Sequence, residues 1–501
     1  MIKVVLLALL SVNVYYNTLL SQQLTKLSLF DALQIATDSS FQAFKNKNLY
    51  LISYWTYSSV LKQRMPSVSL STTPFEYSRS LVERYNSTLD IDEYRTQQYT
   101  YSSAGLNISQ ILPFSGGSLS LTSNLSRLNY YGISNYTQFT SIPAIISLSQ
   151  PILGFNSYKW QLKTAPILYE KAERDYVQSV ETIAIQLVGY YFDLLTAQLK
   201  LKAAVINLAN ADTFYSIGTK RRELGSLTLV DVQNLKVAEL NAKNEFAEAQ
   251  KELKIAELAF NSFLRIDEHS IVELEIPEKI IPGKISCDTA FQIGEENNPL
   301  LLGYKEQLIE SASDLEQTKR SSLLNSTLTL SYGLNQQSST LPGSYHNPMD
   351  KQQASIDFSM PILGWGQRRE KINIARKNFE NSQISIQQAI INFRQQLITT
   401  VINCNMQKDI IISAVETKEA AQMAFDLTKQ LFIIGKADIY SLNIAQKQLQ
   451  LSRLACIDAY RNYWTYYYTL RQLTLFDFDK NLPLSVDFEK IIESDNYIKL
   501  F

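Results

Sequence analysis

Apolar positions along this chain keep two different periods, and each change of period marks where one kind of element gives way to another. Ile183, Leu187, Tyr190, Leu194, Leu201, Val205 and Leu208 follow at steps of three, four or seven, the seam of a coiled-coil helix. The surrounding stretch from Tyr158 to Arg222 is nearly free of Gly and Pro, which predicts one helix roughly 97 Å long at about 1.5 Å per residue. Elsewhere the period is two. Leu106 and Ile108 alternate with Asn107 and Ser109, and Leu119 and Leu121 with Ser118, Ser120 and Thr122. Leu328, Leu330, Tyr332 and Leu334 alternate with Thr327, Thr329, Ser331 and Gly333, and Ile356, Phe358 and Met360 with Ser355, Asp357 and Ser359. One apolar face and one hydroxyl-rich face suit strands of a barrel with lipid outside and water inside. Alternation alone leaves open the surface sheet of a soluble domain.

The pattern occurs twice. Ser149, Pro151, Ile152, Leu153 and Gly154 recur as Ser359, Pro361, Ile362, Leu363 and Gly364, a shift of 210 that also carries Leu187 onto Leu397 and Gly225 onto Gly435. Upstream, Ser28, Ala32, Gln34 and Ile35 match Ser286, Ala290, Gln292 and Ile293 at a shift of 258. The difference, 48 residues, is extra chain in the first copy between Pro66 and Pro151. Ser28 and Ser286 are positioned as helix N-caps, with Asp31 completing a capping box. Each long helix stops at a lone glycine, Gly225 or Gly435, suited to the left-handed C-terminal cap. Three residues on, Thr228 and Asp438 are N-caps for a returning helix, so two hairpins with tight tips are predicted. The division that follows is a signal peptide over 1–22, a first repeat over 23–265, a linker over 266–285, a second repeat over 286–476 and a tail over 477–501.

Composition narrows the function. Lys and Arg nearly balance Asp and Glu, giving a formal net charge of -1, so no basic footprint points to nucleic acid. Lys3 followed by the short apolar run Val4–Leu10 reads as a secretory signal, and no later run reaches the 18 or so apolar residues that a spanning helix needs. Entry into a membrane would therefore be by strands in a closed barrel. Cys287, Cys404 and Cys456 have no metal or redox spacing and read as packing residues. Cys404 and Cys456 are expected to lie too far apart along the second hairpin for a disulfide. His269 and His346 have no ligand-spaced partners, and the GxGxxG, Walker A, HExxH and GxSxG motifs are absent. No cofactor and no enzyme activity are expected. A few strands per chain cannot close a barrel, so several copies must share one wall.

At this point the chain resembles the TolC-type outer-membrane efflux proteins. The resemblance rests on the helix start at Ala290, Gln292, Ile293, Asn298 and Pro299, the strand exits SQPILG and SMPILG, and the tip LGSLTLVDVQN from Leu224 to Asn234. The first copy departs from it, with Ser40 and Phe41 in place of the Asn-Pro pair. What the resemblance implies is a mainly α fold with a transmembrane β part: duplicated antiparallel hairpins forming an α-barrel, and about four strands per subunit in a shared trimeric β-barrel. It implies a passive channel of a tripartite efflux or type I secretion system, sited in the bacterial outer membrane with its helices in the periplasm. The partners implied are two further copies, a periplasmic adaptor protein and an inner-membrane pump or ABC exporter. Leu224, Gly225, Ser226, Thr228, Asp231, Gly435, Lys436 and Asp438 would lie at the adaptor-docking tips; the plainer reading is that they are turn residues only. Ser441 and Ile444 stand where some members carry an aspartate ring, and Asp231 is read as a helix-start carboxylate. The 48-residue insertion is expected to enlarge an outer loop or lengthen strands. Six strands per subunit, eighteen in all, is not the expectation, because the matching helix frames point to a barrel of the family's size. The alternative to a channel is a periplasmic coiled-coil adaptor or scaffold.

Overall fold

The computed structural model describes residues 25–498, apart from 89, 133–134, 269, 281–282, 323 and 361. The expected signal peptide over 1–22 lies outside the described residues. In the first copy, β1 (Thr25–Leu27) leads into α1 (Leu29–Ser39) and α2 (Phe41–Lys62), followed by β2 (Ser67–Asn86), β3 (Ile91–Ile111), β4 (Ser118–Tyr131) and β5 (Tyr136–Pro151). The hairpin of α3 (Ser157–Glu223) and α4 (Leu229–Leu264) completes it. The second copy runs through β6 (Val272–Leu274), α5 (Cys287–Asn297), α6 (Pro299–Ser321), β7 (Asn325–Ser338) and β8 (Met349–Ser359) to the hairpin of α7 (Gln367–Ile433) and α8 (Ile439–Thr474). A tail follows, with β9 (Phe476–Asp477), β10 (Leu482–Pro483) and α9 (Phe488–Ile498). The two ascending helices have 67 residues each and the two returning helices 36 each.

Local chemistry sets the helix starts. Asp31 N–H donates to Ser28 Oγ at 3.2 Å while the Asp31 carboxylate accepts from Ser28 N–H at 3.4 Å, so two amide donors left over at the helix start are satisfied reciprocally. The same role falls to Ser286, whose Oγ accepts from Thr289 N–H.

The chain divides into two compact units. One comprises residues up to Leu51, Ala172–Pro299 and Ile390 onward. Its core joins Leu29 and Ala32 of α1 to Ile183, Leu187 and Tyr191 of α3, Phe260 of α4, Cys404 of α7 and Trp464 of α8, all buried. Within it β1 pairs in parallel with β6, and the Tyr191 hydroxyl donates to the carbonyls of Leu27 and Glu275 at 3.1 and 2.6 Å. Arg471 holds Glu181 through two hydrogen bonds at 2.9 and 2.8 Å and reaches Asp477 at 2.7 Å. The tail returns onto this unit, with the Phe488 ring 4.9 Å from that of Tyr50. All three cysteines are free thiols; burial pushes the Cys404 thiol up to about 11.

The other unit, Ile52–Lys171 with Leu300–Ala389, holds one antiparallel sheet of six strands in the order β2-β3-β4-β5-β7-β8. Its registers line up two chemically distinct faces. Val68, Ile108, Leu121, Ile146 and Tyr332 stand side by side across five strands. One position along, Ser67, Ser109, Ser120, Ser147, Ser331 and Gln353 form a row across all six. On β2 the register shifts between Thr73 and Glu76, so the apolar face moves from the even positions Val68 and Leu70 to the odd positions Tyr77, Leu81 and Tyr85, as one extra residue in a bulge requires. Among the described residues no helix is long and apolar enough to cross a membrane.

The fold class is as expected, but the strand count within it needs correction: among the described residues this sheet has six strands rather than about four. The 48 extra residues are not an enlarged loop. They supply the pair β3 and β4, hydrogen-bonded on both sides within the sheet, and they also lengthen β2, whose 20 residues exceed the 14 of β7. The alternation of Leu106, Ile108, Leu119 and Leu121 is that of strands paired on both sides in a ladder, and the segment from Leu112 to Gly117 between them is a tight turn in which Leu112 N–H donates to the Gly117 carbonyl and Gly116 N–H to the Leu112 carbonyl, both at 2.8 Å.

Candidate functional site at the hairpin tips

Each long helix ends in the same backbone device. At the first tip Gly225 N–H donates to the Arg222 carbonyl and Ser226 N–H to the Arg221 carbonyl, both at 2.9 Å. At the second, Gly435 N–H donates to Phe432 at 3.1 Å and Lys436 N–H to Leu431 at 2.8 Å. This paired return is the Schellman cap, which needs a left-handed residue after the helix; Gly225 has φ +76 and Gly435 φ +82.

The returning helices are capped differently. Asp231 N–H donates to Thr228 Oγ1 at 3.2 Å, and the Asp231 carboxylate accepts from Thr228 N–H at 3.1 Å and from its hydroxyl at 2.7 Å. Asp231 is thus committed to its own helix start. At the second tip Asp438 itself is the cap, accepting from Ser441 N–H at 2.7 Å. Hydrogen bonds from Ser441 hold the Asp438 carboxyl below the usual aspartate range.

Of the residues singled out in the sequence, Leu224, Gly225, Ser226, Thr228, Gly435, Lys436 and Asp438 are exposed and Asp231 is half-buried. Leu224 is 84% exposed, extreme for a leucine, and Val230, Ile434 and Tyr440 nearby are also largely exposed. The structure brings Thr228 together with Asp231, and it sets the two tips beside each other through a residue that sequence reasoning missed. Arg221 Nη2 donates to the Ile433 carbonyl at 3.1 Å, its guanidinium lies 5.8 Å from the Phe432 ring centre, and a Cβ at Gly435 would come 2.8 Å from Nη2. Behind this contact Phe214, Leu235, Phe425, Phe432 and Leu442 form a small core between the hairpins. The available signal was the run Lys220, Arg221, Arg222 in the last helical turn, where cations favour the helix C-terminus.

Among the described residues no group of three or more His, Cys, Asp or Glu is placed to hold a metal ion. The tips offer exposed apolar side chains and backbone turns, the chemistry of a contact surface.

The chain has the fold of the CmeC outer membrane channel of Campylobacter jejuni, at 14% identity and TM-score 0.65, covering 93% of this chain and 88% of that one. It also matches the outer membrane protein VceC of Vibrio cholerae at 12% identity and TM-score 0.63, over 91% and 97% of the two chains. The MtrE outer membrane channel of Neisseria gonorrhoeae, in its open state, matches at 12% identity and TM-score 0.57, over 92% and 90%. No curated protein matches by sequence. The profile of the outer membrane efflux proteins fits residues 116–264 and 296–474, well over half the sequence, and the chain therefore belongs to the outer membrane efflux protein family.

Proposed function

We propose that this chain is the outer-membrane channel of a tripartite efflux or type I secretion system, three copies forming one passive duct. The observation that carries this is the two-faced sheet: leucine, isoleucine and tyrosine on one side, a row of five serines ending on Gln353 across the six strands on the other. A wall with those faces suits lipid on one side and water on the other. Its end strands leave backbone donors and acceptors unpaired, which further copies would satisfy.

In this reading the hairpin tips dock a periplasmic adaptor. Leu224, Gly225, Ser226 and Thr228 on one tip and Gly435, Lys436 and Asp438 on the other form the contact, and Asp231 holds the first returning helix in place behind it. The exposed Leu224, Val230, Ile434 and Tyr440 favour a protein partner, since apolar groups gathered at a turn gain from being covered. Energy comes from an inner-membrane pump or ABC exporter, as the sequence carries no nucleotide-binding motif. Opening is a rearrangement of the tips driven by the adaptor's higher affinity for the open state.

Membrane fractionation followed by single-particle imaging and bilayer conductance tests this. The expected result is an outer-membrane trimer that conducts ions without turnover. Recovery as a soluble periplasmic monomer would defeat the channel and favour a coiled-coil scaffold. Leu224→Glu and Lys436→Glu are expected to lower export at least tenfold while trimers persist; unchanged export would remove the tips from the docking surface.

A further inference from the structure

The internal repeat identifies which strands are additional. β7 lies 258 positions after the stretch 67–80 of β2, and β8 lies 210 positions after the stretch 139–149 of β5. β2 and β5 are therefore the counterparts of β7 and β8. Everything between them, β3 and β4, is the insertion, and it lies inside the wall.

The sheet ends on β2 and β8. Because it has six strands, all antiparallel, these two run in opposite directions, so β8 of one copy can join β2 of the next without breaking the antiparallel order. The repeat also fixes the register of that seam. The junction of β5 with β7 is its counterpart, and there Ser149 stands opposite Thr329 and Ser147 opposite Ser331. Carried across by 210 and 258 positions, these pairs become Ser359 opposite Ser71 and Asp357 opposite Thr73. Both pairs fall on the serine face, so the apolar faces of neighbouring copies join without a step.

We infer that β8 of each copy pairs with β2 of the next copy at the register Ser359–Ser71, and that three copies close an eighteen-stranded barrel. This rests on the trimeric channel reading. With strands about 4.8 Å apart and tilted about 45°, the backbone radius is about 19 Å, against about 13 Å for the twelve strands that four per chain would give. The partner at each sheet edge is a second copy of this chain, and the lumen is lined mainly by neutral hydroxyls.

The test uses the full chain in its membrane, with Cys287→Ser to remove the one thiol that is not buried. Ser71→Cys and Ser359→Cys are introduced together and treated with a short bifunctional thiol reagent. Directly opposed strand residues have Cβ atoms about 5 Å apart, within its reach. The expected product on a denaturing gel is a covalent trimer, with no product from either single variant. Ser69→Cys with Ser355→Cys, on the same face but six positions out of register or about 20 Å apart, is expected to stay monomeric. Imaging of the unmodified trimer should count eighteen strands.

Membrane trimers that do not cross-link at Ser71 and Ser359 would overturn the register, and twelve strands by imaging would overturn the closure. A product ending at dimer, or a cross-link within one chain, would also overturn it. None of these outcomes touches the channel reading, which falls only if the protein is missing from the outer membrane or does not conduct.

Discussion

Arg471 stands between two carboxylates with little solvent around any of the three; the side chains of Arg471, Glu181 and Asp477 are 16%, 6% and 9% exposed. Burial pushes the Glu181 carboxyl up, against the pull of Arg471. At Asp477 burial acts in the same direction, but the Arg471 charge and hydrogen bonds from Lys480, Tyr467 and Asp479 outweigh it and leave that carboxyl lowered. Arg471→Met strands both acids, at a cost of about 3–5 kcal/mol, read by denaturant unfolding of the detergent-solubilised protein. The tip glycines should respond unequally to alanine. Gly225→Ala costs only the left-handed backbone strain, about 1–2 kcal/mol, because nothing lies within 4 Å of the added Cβ. Gly435→Ala adds displacement of Arg221 and should therefore cost more; limited proteolysis at the tips reads the difference. Asp438 supplies a pH signature. Its carboxyl is lowered in the fold, so its contribution is present above the unfolded value of about 3.9 and is lost as pH falls through the folded value. The second tip should become protease-sensitive in that acid window, and Asp438→Asn should abolish the pH dependence. Gly225, Gly435, Thr228 and Asp438 were legible from glycine and cap chemistry, and Asp231 as a helix-start carboxylate, whereas Leu224, Ser226 and Lys436 came only with the family resemblance. Arg221 was not legible, because its partner Ile433 is 212 positions away and no local pattern records such a contact.

Among the elements, the four hairpin helices were the easiest to read from sequence: a long apolar seam, a lone glycine and an N-cap three residues later state both where the chain turns and where it resumes. The strands were harder for a reason visible in β2. The bulge between Thr73 and Glu76 moves the apolar face from even to odd positions, so a period-two search sees two short fragments rather than one strand of 20 residues. Pro74 sits at that bulge on an edge strand, where its missing N–H does least harm. Further along, Arg79 and Glu83 sit between Tyr77, Leu81 and Tyr85 on the same face, so charge interrupts the apolar face in the outer part of β2. The lipid-facing reading of the inner part makes a sharp contrast between neighbours. Ile146→Lys puts a charge on the apolar face and should cost about 2–4 kcal/mol near the bilayer midplane, whereas Ser147→Lys on the serine face should fold into liposomes with near-normal yield. Equal yields from the two variants would refute the assignment of faces.

At the scale of the whole molecule, the inserted pair sets the bore. Removing β3 and β4, and joining β2 to β5 by a loop like that between β7 and β8, should leave a protein that still inserts but conducts about twofold less, in line with the reduced cross-section of twelve strands. An unchanged conductance would place the narrowest point elsewhere. Sequence alone could not decide this, since the repeat located the insertion without telling whether 48 residues stand outside the wall or within it. The free edges of β2 and β8 also bear on how the protein is made. A lone chain carries two open rows of N–H and C=O groups beside an apolar face, which is a template for wrong partners as well as right ones. Correct closure is a meeting of chains whose speed rises with their concentration, and so is the competing aggregation. Refolding yield should therefore pass through a maximum as protein concentration is raised, and the cell has reason to deliver newly exported chains to the membrane escorted and few at a time.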